Sequence, residues 1–447
     1  MKKSVIIGII VSVVLIIFII FINFQKFEIF KSEEKSELSD VSGFGLGDLC
    51  SGEKNCKEFC LNNLRRCKDY CKERENELCK IIFFVEERNE QVPIVTEEVR
   101  DDDKKCQGTK TKFDFAPVNL DKTKLFLPLG LMIDSHVTPI DHHYFQNIDN
   151  EEYDIEIYSP GKGFITDIGH MPGAEEGKDY RINIEHTCTI SSIYIYVSNL
   201  PEKINKAIKN KEYVGVRIPV EAGELLGYYK TNMDYNLVDE EIILKGFVVP
   251  EHYNELWKIH VPNTYDYFNE PVRSRLIEKS VRTAEPISGK IDYDIDGKLV
   301  GNWFKEGTNG YAGAVTEHGQ EGYWLGHLSI VYDYIDPNRI VFSIGNYNGE
   351  NSKQFSVKGN SPNPAEAGIE DGLIEYELVE YDYITPNGNS WDRKSLAKNM
   401  KTISNEAVQG VVLVQLIEKR KIKFEAFPGK TASQVNEFTE NAKIYER

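Results

Sequence analysis

A chain of 447 residues is too long for one hydrophobic core and points to about two or three domains. Hydrophobic residues at 41% and aromatics at 11% suffice for ordinary globular burial. The formal net charge of −18, with no Lys/Arg-rich tract to offset it, excludes a general nucleic-acid binder, because the phosphate backbone demands a basic face.

The first element is "MKKSVIIGIIVSVVLIIFIIFINF", whose apolar run over residues 5–22 just spans a hydrocarbon layer of ~30 Å at ~1.5 Å per residue. Bulky Ile and Phe continue to Phe24, where a cleaved signal would carry small residues. We expect an uncleaved signal anchor over residues 1–24. Lys2 and Lys3 precede it and the mixed, acidic stem over 25–45 follows, so the positive-inside rule places the N-terminus in the cytoplasm and the bulk outside. The expected localisation is the cell membrane, single-pass, with the membrane itself as one partner.

Residues 46–82 hold six of the eight cysteines. Cys56 and Cys60 are one helical turn apart, as are Cys67 and Cys71. On two antiparallel helices joined by "LNNLRR" the pairs nest as Cys60–Cys67, Cys56–Cys71 and Cys50–Cys79, and a segment this small needs such staples. The pattern resembles the twin Cys-x3-Cys helical hairpins of small disulfide-bonded proteins. A metal cluster is the competing reading, although metal sites more often use Cys-x2-Cys. Cys106 and Cys188 are left to pair with each other. The polar, acidic stretch over 83–112 reads as a linker.

From residue 113 to 249 short segments rich in Val, Ile, Tyr and Phe alternate with turn signals: "LFLPLGLMI", "DIEIYSP", "GFITDIG", "YRINIEH", "SSIYIYVSNL" and "GELLGYYK". Residues 250–284 follow as a helical connector, with Phe268, Val272, Leu276 and Val281 at helix spacing. From 285 to 447 the chain is again β: "HLSIVYDYI", "RIVFSIG", "KQFSVKG", "LIEYELVEYDYI", "GVVLVQLIEK" and "KIKFEAFPG", with one late helix over "TASQVNEFTENAK". The expected fold class is mainly β, ending in an antiparallel β barrel or sandwich.

Three motifs bear on chemistry. Asp292-x-Asp294-x-Asp296-Gly297 opens like a calcium loop, but its twelfth position is Trp303 where a bidentate Glu is required, so a hairpin is the expected reading. Gly301-Asn302-Trp303 resembles the Gly-x-Trp that opens lipocalin-type barrels, which implies a barrel with an apolar ligand cavity; a buried tryptophan of an ordinary β core fits the same residues. The third motif, "DSHVTPIDHHYF" over 134–145, gathers three of the nine histidines and two aspartates. Thr138-Pro139 forces an extended turn with Asp134 and Asp141 as flanking caps, so the cluster can also be a polar turn whose imidazoles satisfy backbone groups.

Down the chain this stretch is followed by "DIEIYSPGKGFITDIG", "YRINIEHTCTISSIYIYVSNL" and "VRIPVEAGELLGYYKTNMDYNLVD". In order and spacing these landmarks resemble the β domain (a barrel-sandwich) of lysostaphin-type zinc endopeptidases, which cut peptidoglycan cross-bridges, over roughly residues 125–245. The resemblance implies His136 and Asp141 as the first two zinc ligands, with one residue more between them than the family has, and Asp234 as the last. It puts Tyr196 and Asn232 where the two catalytic histidines belong. Neither a phenol nor an amide serves as a general base at neutral pH, though Asp141, His142 or His143 remain as substitutes. The expected cofactor is none, or one divalent metal, with zinc held by His136, Asp141 and Asp234. Three readings stay open: a non-catalytic module binding a cell-envelope glycan or protein, a metal-dependent hydrolase with a rearranged site, and a structural ectodomain scaffold. Trp324 and Trp391 are candidate exposed glycan contacts. We expect the first reading, a pseudo-peptidase.

Overall fold

The computed structural model of the protein describes residues 106–149, 154–171, 174–175, 178–208, 213–253, 255–313, 322–349 and 352–447. The expected anchor, stem, cysteine hairpin and most of the linker lie outside these residues, and with them Cys50, Cys56, Cys60, Cys67, Cys71 and Cys79. Among the described residues no helix is long and apolar enough to cross a membrane.

The first β part contains β1 (Leu125–Leu127), β2 (His143–Gln146), β3 (Ile155–Tyr158), β4 (Gly163–His170), β5 (Tyr180–Glu185), β6 (Ile190–Val197), β7 (Tyr213–Val220), β8 (Leu225–Tyr229) and β9 (Asn232–Asp239). Seven of these form one sheet in the order β1-β2-β9-β6-β5-β4-β7, and β3 pairs with β8 in a second. Period-2 alternation sorts their side chains. Tyr180, Ile182 and Ile184 of β5 and Met233, Tyr235 and Leu237 of β9 enter the core shared with Ile155, Ile157 and Leu226 of the small sheet. Arg181 and Asn183, and Asn232, Asp234 and Asn236, therefore stand on the opposite, polar face. A short helix, α1 (Glu202–Ile208), adds Ile204 and Ile208, one turn apart, to the core. The Cys106–Cys188 disulfide, closing 82 residues of chain, ties the start of the described chain to the β5–β6 turn.

The connector is less helical than its spacing suggests. It holds α2 (Leu256–Ile259), a single turn, and α3 (Val272–Lys279), which begins just after Pro271. Of the expected apolar line, Val272 and Leu276 lie in α3, while Phe268 precedes it in extended backbone and packs in the core of the sheet.

The barrel alternative holds for the C-terminal part. β10 (Gly301–Lys305), β11 (His327–Tyr332), β12 (Ile340–Ile344), β13 (Lys353–Val357), β14 (Leu373–Ile384), β15 (Lys401–Glu418), β16 (Lys421–Pro428) and β17 (Lys443–Glu446) pair in sequence, and β17 returns to β10 to close the ring. Eight strands leave an interior that side chains can fill, and Trp303, Phe342, Tyr376, Phe424 and Tyr445 occupy it together with aliphatic residues. The Trp303 indole N–H donates to the Leu299 carbonyl at 2.8 Å. Arg447 lies over the Trp303 ring at 4.0 Å and donates to the carbonyls of Ile295, Lys298 and Val300.

Two expectations here are corrected. The Asp292–Asp294–Asp296 run is neither a calcium loop nor a hairpin. Asp292 accepts from the Gly246 N–H, Asp294 from those of Val248 and Asn302, and Asp296 pairs with Lys419 and Arg420. Only the turn at Asp296-Gly297 survives, with Gly297 at φ +79°. The late helix is reduced to one 3-10 turn over Ala432–Gln434, and Val435 and Phe438 after it pack with Val411 and Leu413 of β15.

Beyond Val379, β14 pairs only with β15, so this hairpin runs past the barrel wall as an arm. Tyr383, Trp391 and Met400 from the arm join Tyr334 and Ile335 against Leu125, Leu127, Ile140, Tyr144 and Val281 of the first part. Trp391, a candidate exposed glycan contact that a buried core residue fits equally, is 5% exposed, and its indole N–H donates to the Ser395 carbonyl.

Candidate functional site

The 130–142 excursion between β1 and β2 delivers His136, Asp141 and His142 to the polar face of the large sheet, beside Asp234 on β9. Antiparallel register puts Tyr144 of β2 and Ile195 of β6 on either side of Asp234. Tyr196 reaches the same neighbourhood through a register shift between β5 and β6, with φ at +69°. Such a bulge re-aims a side chain off its strand face, while Tyr194, two residues earlier, points into the core.

His142 is the centre of this arrangement. Its Nδ1 lies 3.4 Å from Asp141 Oδ1, its Nε2 lies 3.4 Å from Asp234 Oδ2, and Nε2 is 3.1 Å from the Tyr144 hydroxyl. The second oxygen of each carboxylate meets an amide: Asn236 Nδ2 donates to Asp141 Oδ2 at 3.4 Å, and Asn232 Nδ2 to Asp234 Oδ1 at 2.9 Å. Lys258 of α2 completes the group. It is 1% exposed, donates to the Pro139 carbonyl at 3.1 Å and stands 4.7 Å from the Tyr311 ring centre.

Burial and charge set the protonation states. Burial is the largest influence on His142 and lowers its pKa, but the charge of Asp234 and then the hydrogen bond and charge of Asp141 reverse the sign, so its pKa is held above the ordinary value. Burial likewise pushes Asp141 up, yet Lys258 and His142 together hold it well below the carboxylate range. Asp234 is pushed up to about 6, chiefly by burial, against the opposing effects of His142 and Asn232. His136 is lowered to about 4 by burial first, then by His142 and Lys258. The Tyr196 phenol is raised by burial and by Asp234, which takes it further from use as a base at neutral pH.

Sequence-derived candidates therefore fare unequally. Asp141 and Asp234 are brought together, Asn232 and Tyr196 stand beside them, and His136 lies at the edge, its ring centre 6.4 Å from that of His142. Among the described residues no group of three or more His, Cys, Asp or Glu side chains is arranged to hold a metal ion. The donor set explains this: the oxygens that Asp141 and Asp234 would turn to a metal face the two nitrogens of His142 instead. As arranged, His136, Asp141 and Asp234 do not fit a zinc centre. His143, the neighbouring histidine, is a core residue on the other face. Its Nδ1 donates to the Leu127 carbonyl, its Nε2 contacts the Thr264 hydroxyl at 2.9 Å, and burial lowers its pKa to about 3.

In the sequence His142 is marked as a substitute only, and Lys258, Asn236 and Asn183 are not marked as site residues. The period-2 pattern of "TNMDYN" was the available signal for Asn236; nothing in "ELWKIH" marks Lys258, which the connector carries in from about 120 residues away.

No protein-family model and no curated protein matches the chain. Among solved structures, the chain is similar to the NMR solution structure of lysostaphin at 8% identity, over 69% of this chain and 80% of that chain, with a TM-score of 0.19. A score that low carries no argument about fold or chemistry.

Proposed function

We propose that the protein is a membrane-anchored, extracytoplasmic binding protein whose ligand site is the polar face of the seven-stranded sheet. In this reading the lysostaphin-like β domain has lost its hydrolytic machinery. One observation carries it: the His142 imidazole stands between Asp141 and Asp234, where hydrolysis would need a metal and its bound water. Tyr196 and Asn232 at the general-base positions support the same conclusion. The ligand is cell-envelope material, in keeping with the expected anchor and the direction in which the bulk of the chain would face.

A second reading, a hydrolase with a rearranged site, is favoured by one feature. Asp234, at about 6, and His142, shifted upward, form a perturbed acid–base pair in one cluster. Incubation of the full-length chain in detergent micelles with isolated cell-envelope material separates the two. Co-sedimentation that is lost on Asp234→Ala, without release of soluble fragments, is the expected result. Release of fragments by the wild type, abolished in Asp234→Ala, would replace binding by hydrolysis, and absence of co-sedimentation would leave a scaffold.

A further inference from the structure

Resting on the binding role just proposed, we infer that the C-terminal barrel and its arm form a built-in cover over the polar face, which a ligand reaches only when the cover lifts. The face is closed in this structure: Asp141, Asp234, Asn236 and Lys258 are 6%, 1%, 5% and 1% exposed. Barrel elements take part in the closing. Tyr311, in the turn after β10, has its ring centre 4.7 Å from the Lys258 ammonium. Ser352, just before β13, and Gln354 within it donate to the Asp134 carbonyl at 2.5 and 3.3 Å. Tyr334, Tyr383 and Trp391 pack in one cluster with Leu127 and Tyr144 of the sheet. The Tyr144 hydroxyl in turn touches His142.

Arm and barrel are one body. Asp333, ahead of β12, accepts from the hydroxyls of Tyr381 and Tyr383 at 3.2 and 2.6 Å. Asp336 accepts from Thr402 Oγ1 at 2.8 Å. This body meets the sheet part through the apolar cluster and through lysines of the arm. Lys394 forms an exposed pair with Asp149 at 2.8 Å, and Lys398 donates to the carbonyls of Ile277 and Ser280.

The polar face is not composed for permanent burial. It carries two carboxylates, an imidazole and an ammonium, and Asn183 Oδ1, Asn232 Oδ1 and Asn236 Oδ1 have no hydrogen-bond partner. Asn232 and Asn236 each turn Nδ2 to a carboxylate, so their carbonyl oxygens are what the cluster leaves over. Native interiors keep few unpaired polar atoms, and each costs stability. A face fixed under the barrel for good would be apolar on β9, as Leu125 and Leu127 are on β1, two strands away. Asn232, Asp234 and Asn236 at alternate positions are instead the pattern of a strand whose outer side meets water or a polar ligand. The seam is thus well matched at its apolar end and poorly matched over the polar cluster, the energetics of a contact that opens below global unfolding.

The test follows acylation of Lys258 by an N-hydroxysuccinimide ester, read by mass spectrometry on the full-length chain in detergent micelles at urea concentrations below the unfolding transition. Labelling is expected to rise with urea less steeply than global unfolding does, because lifting the cover exposes less surface. Trp391→Ala is expected to speed it about tenfold. Asp149→Cys with Lys394→Cys, joined by a short bis-maleimide, is expected to stop it. Should Trp391→Ala misfold, Lys398→Met, which gives up two carbonyl contacts, is expected to speed labelling to a smaller degree. A urea dependence equal to that of global unfolding, or labelling that the cross-link leaves unchanged, would overturn the inference. Co-sedimentation of the same chains with isolated cell-envelope material separates the cover from the binding role: it is expected to rise in Trp391→Ala and to vanish on cross-linking. Labelling that obeys the cross-link, without envelope binding by any variant, would remove the binding role and leave the cover standing. Envelope binding indifferent to the cross-link would put the ligand elsewhere and overturn both.

Discussion

At the scale of single residues, "DHH" over 141–143 divides between two environments. Asp141 and His142 face the polar cluster, whereas His143 is pinned in the core by Leu127 and Thr264. His142→Ala leaves two buried carboxylates facing each other without the intervening ring. We expect a loss of about 3 kcal/mol in stability at neutral pH, measured by urea denaturation, with Asp141→Asn in the same background restoring part of it. The buried histidines outside the cluster yield a pH prediction. His186 is lowered to about 4 and His327 to about 3, both chiefly by burial. An unfolded histidine titrates near ~6.5, so from about pH 6.5 down to about 4 the unfolded chain binds protons that the folded chain refuses. Stability is therefore complete above that window and falls as pH drops through it. Asp294, raised to about 6 by burial, acts in the opposite direction: the folded form takes its proton first and gains stability as pH falls through 6. His327→Gln retains a donor to the Tyr311 carbonyl, which His327 Nε2 now contacts at 3.0 Å. It should reduce the stability lost between pH 7 and 5, read from urea midpoints at the two values. These environments were only partly legible in the sequence, because adjacent histidines on a strand point to opposite faces and the strand itself, His143–Gln146, hid inside a motif that reads as a turn.

At the scale of elements, strands announced themselves where apolar alternation was long, as in "LIEYELVEYDYI" and "GVVLVQLIEK". Elements with a short apolar stripe did not: α1 is a seven-residue helix whose buried residues are Ile204 and Ile208. The late helix is one turn long because Val435 and Phe438 pack onto Val411 and Leu413 of β15 from non-helical backbone. Arg447, just after β17, ties the C-terminus to the segment before β10: its guanidinium serves three carbonyls and lies 3.7 Å from Asp294. Arg447→Met would leave those groups and a buried carboxylate unpaired, and should cost about 3 kcal/mol, seen as a lower melting temperature. The Cys106–Cys188 bond acts chiefly on the unfolded chain. For the 82 residues it closes, loop-closure entropy amounts to about 4.5 kcal/mol, and Cys106→Ser with Cys188→Ser should lose a comparable amount in denaturation experiments under oxidising conditions.

For the molecule as a whole, the arm of β14 and β15 joins barrel and sheet through one apolar cluster that includes Tyr144, a neighbour of His142. Lys398 from the arm donates to the carbonyls of Ile277 and Ser280 at the end of α3, where a cation is favoured by the helix dipole. Sheet and barrel should accordingly unfold in one calorimetric transition, and Trp391→Ala should lower it as a unit; two separate transitions would show that the arm does not couple them. No pattern in the sequence signals this contact, since it joins residues about 250 apart through side chains that read individually as ordinary core. His142 holds the position a metal would need. Zinc titration of the full-length chain by calorimetry tests it most directly. No stoichiometric binding is expected from the wild type; tight 1:1 binding that disappears in Asp141→Ala and Asp234→Ala would contradict it.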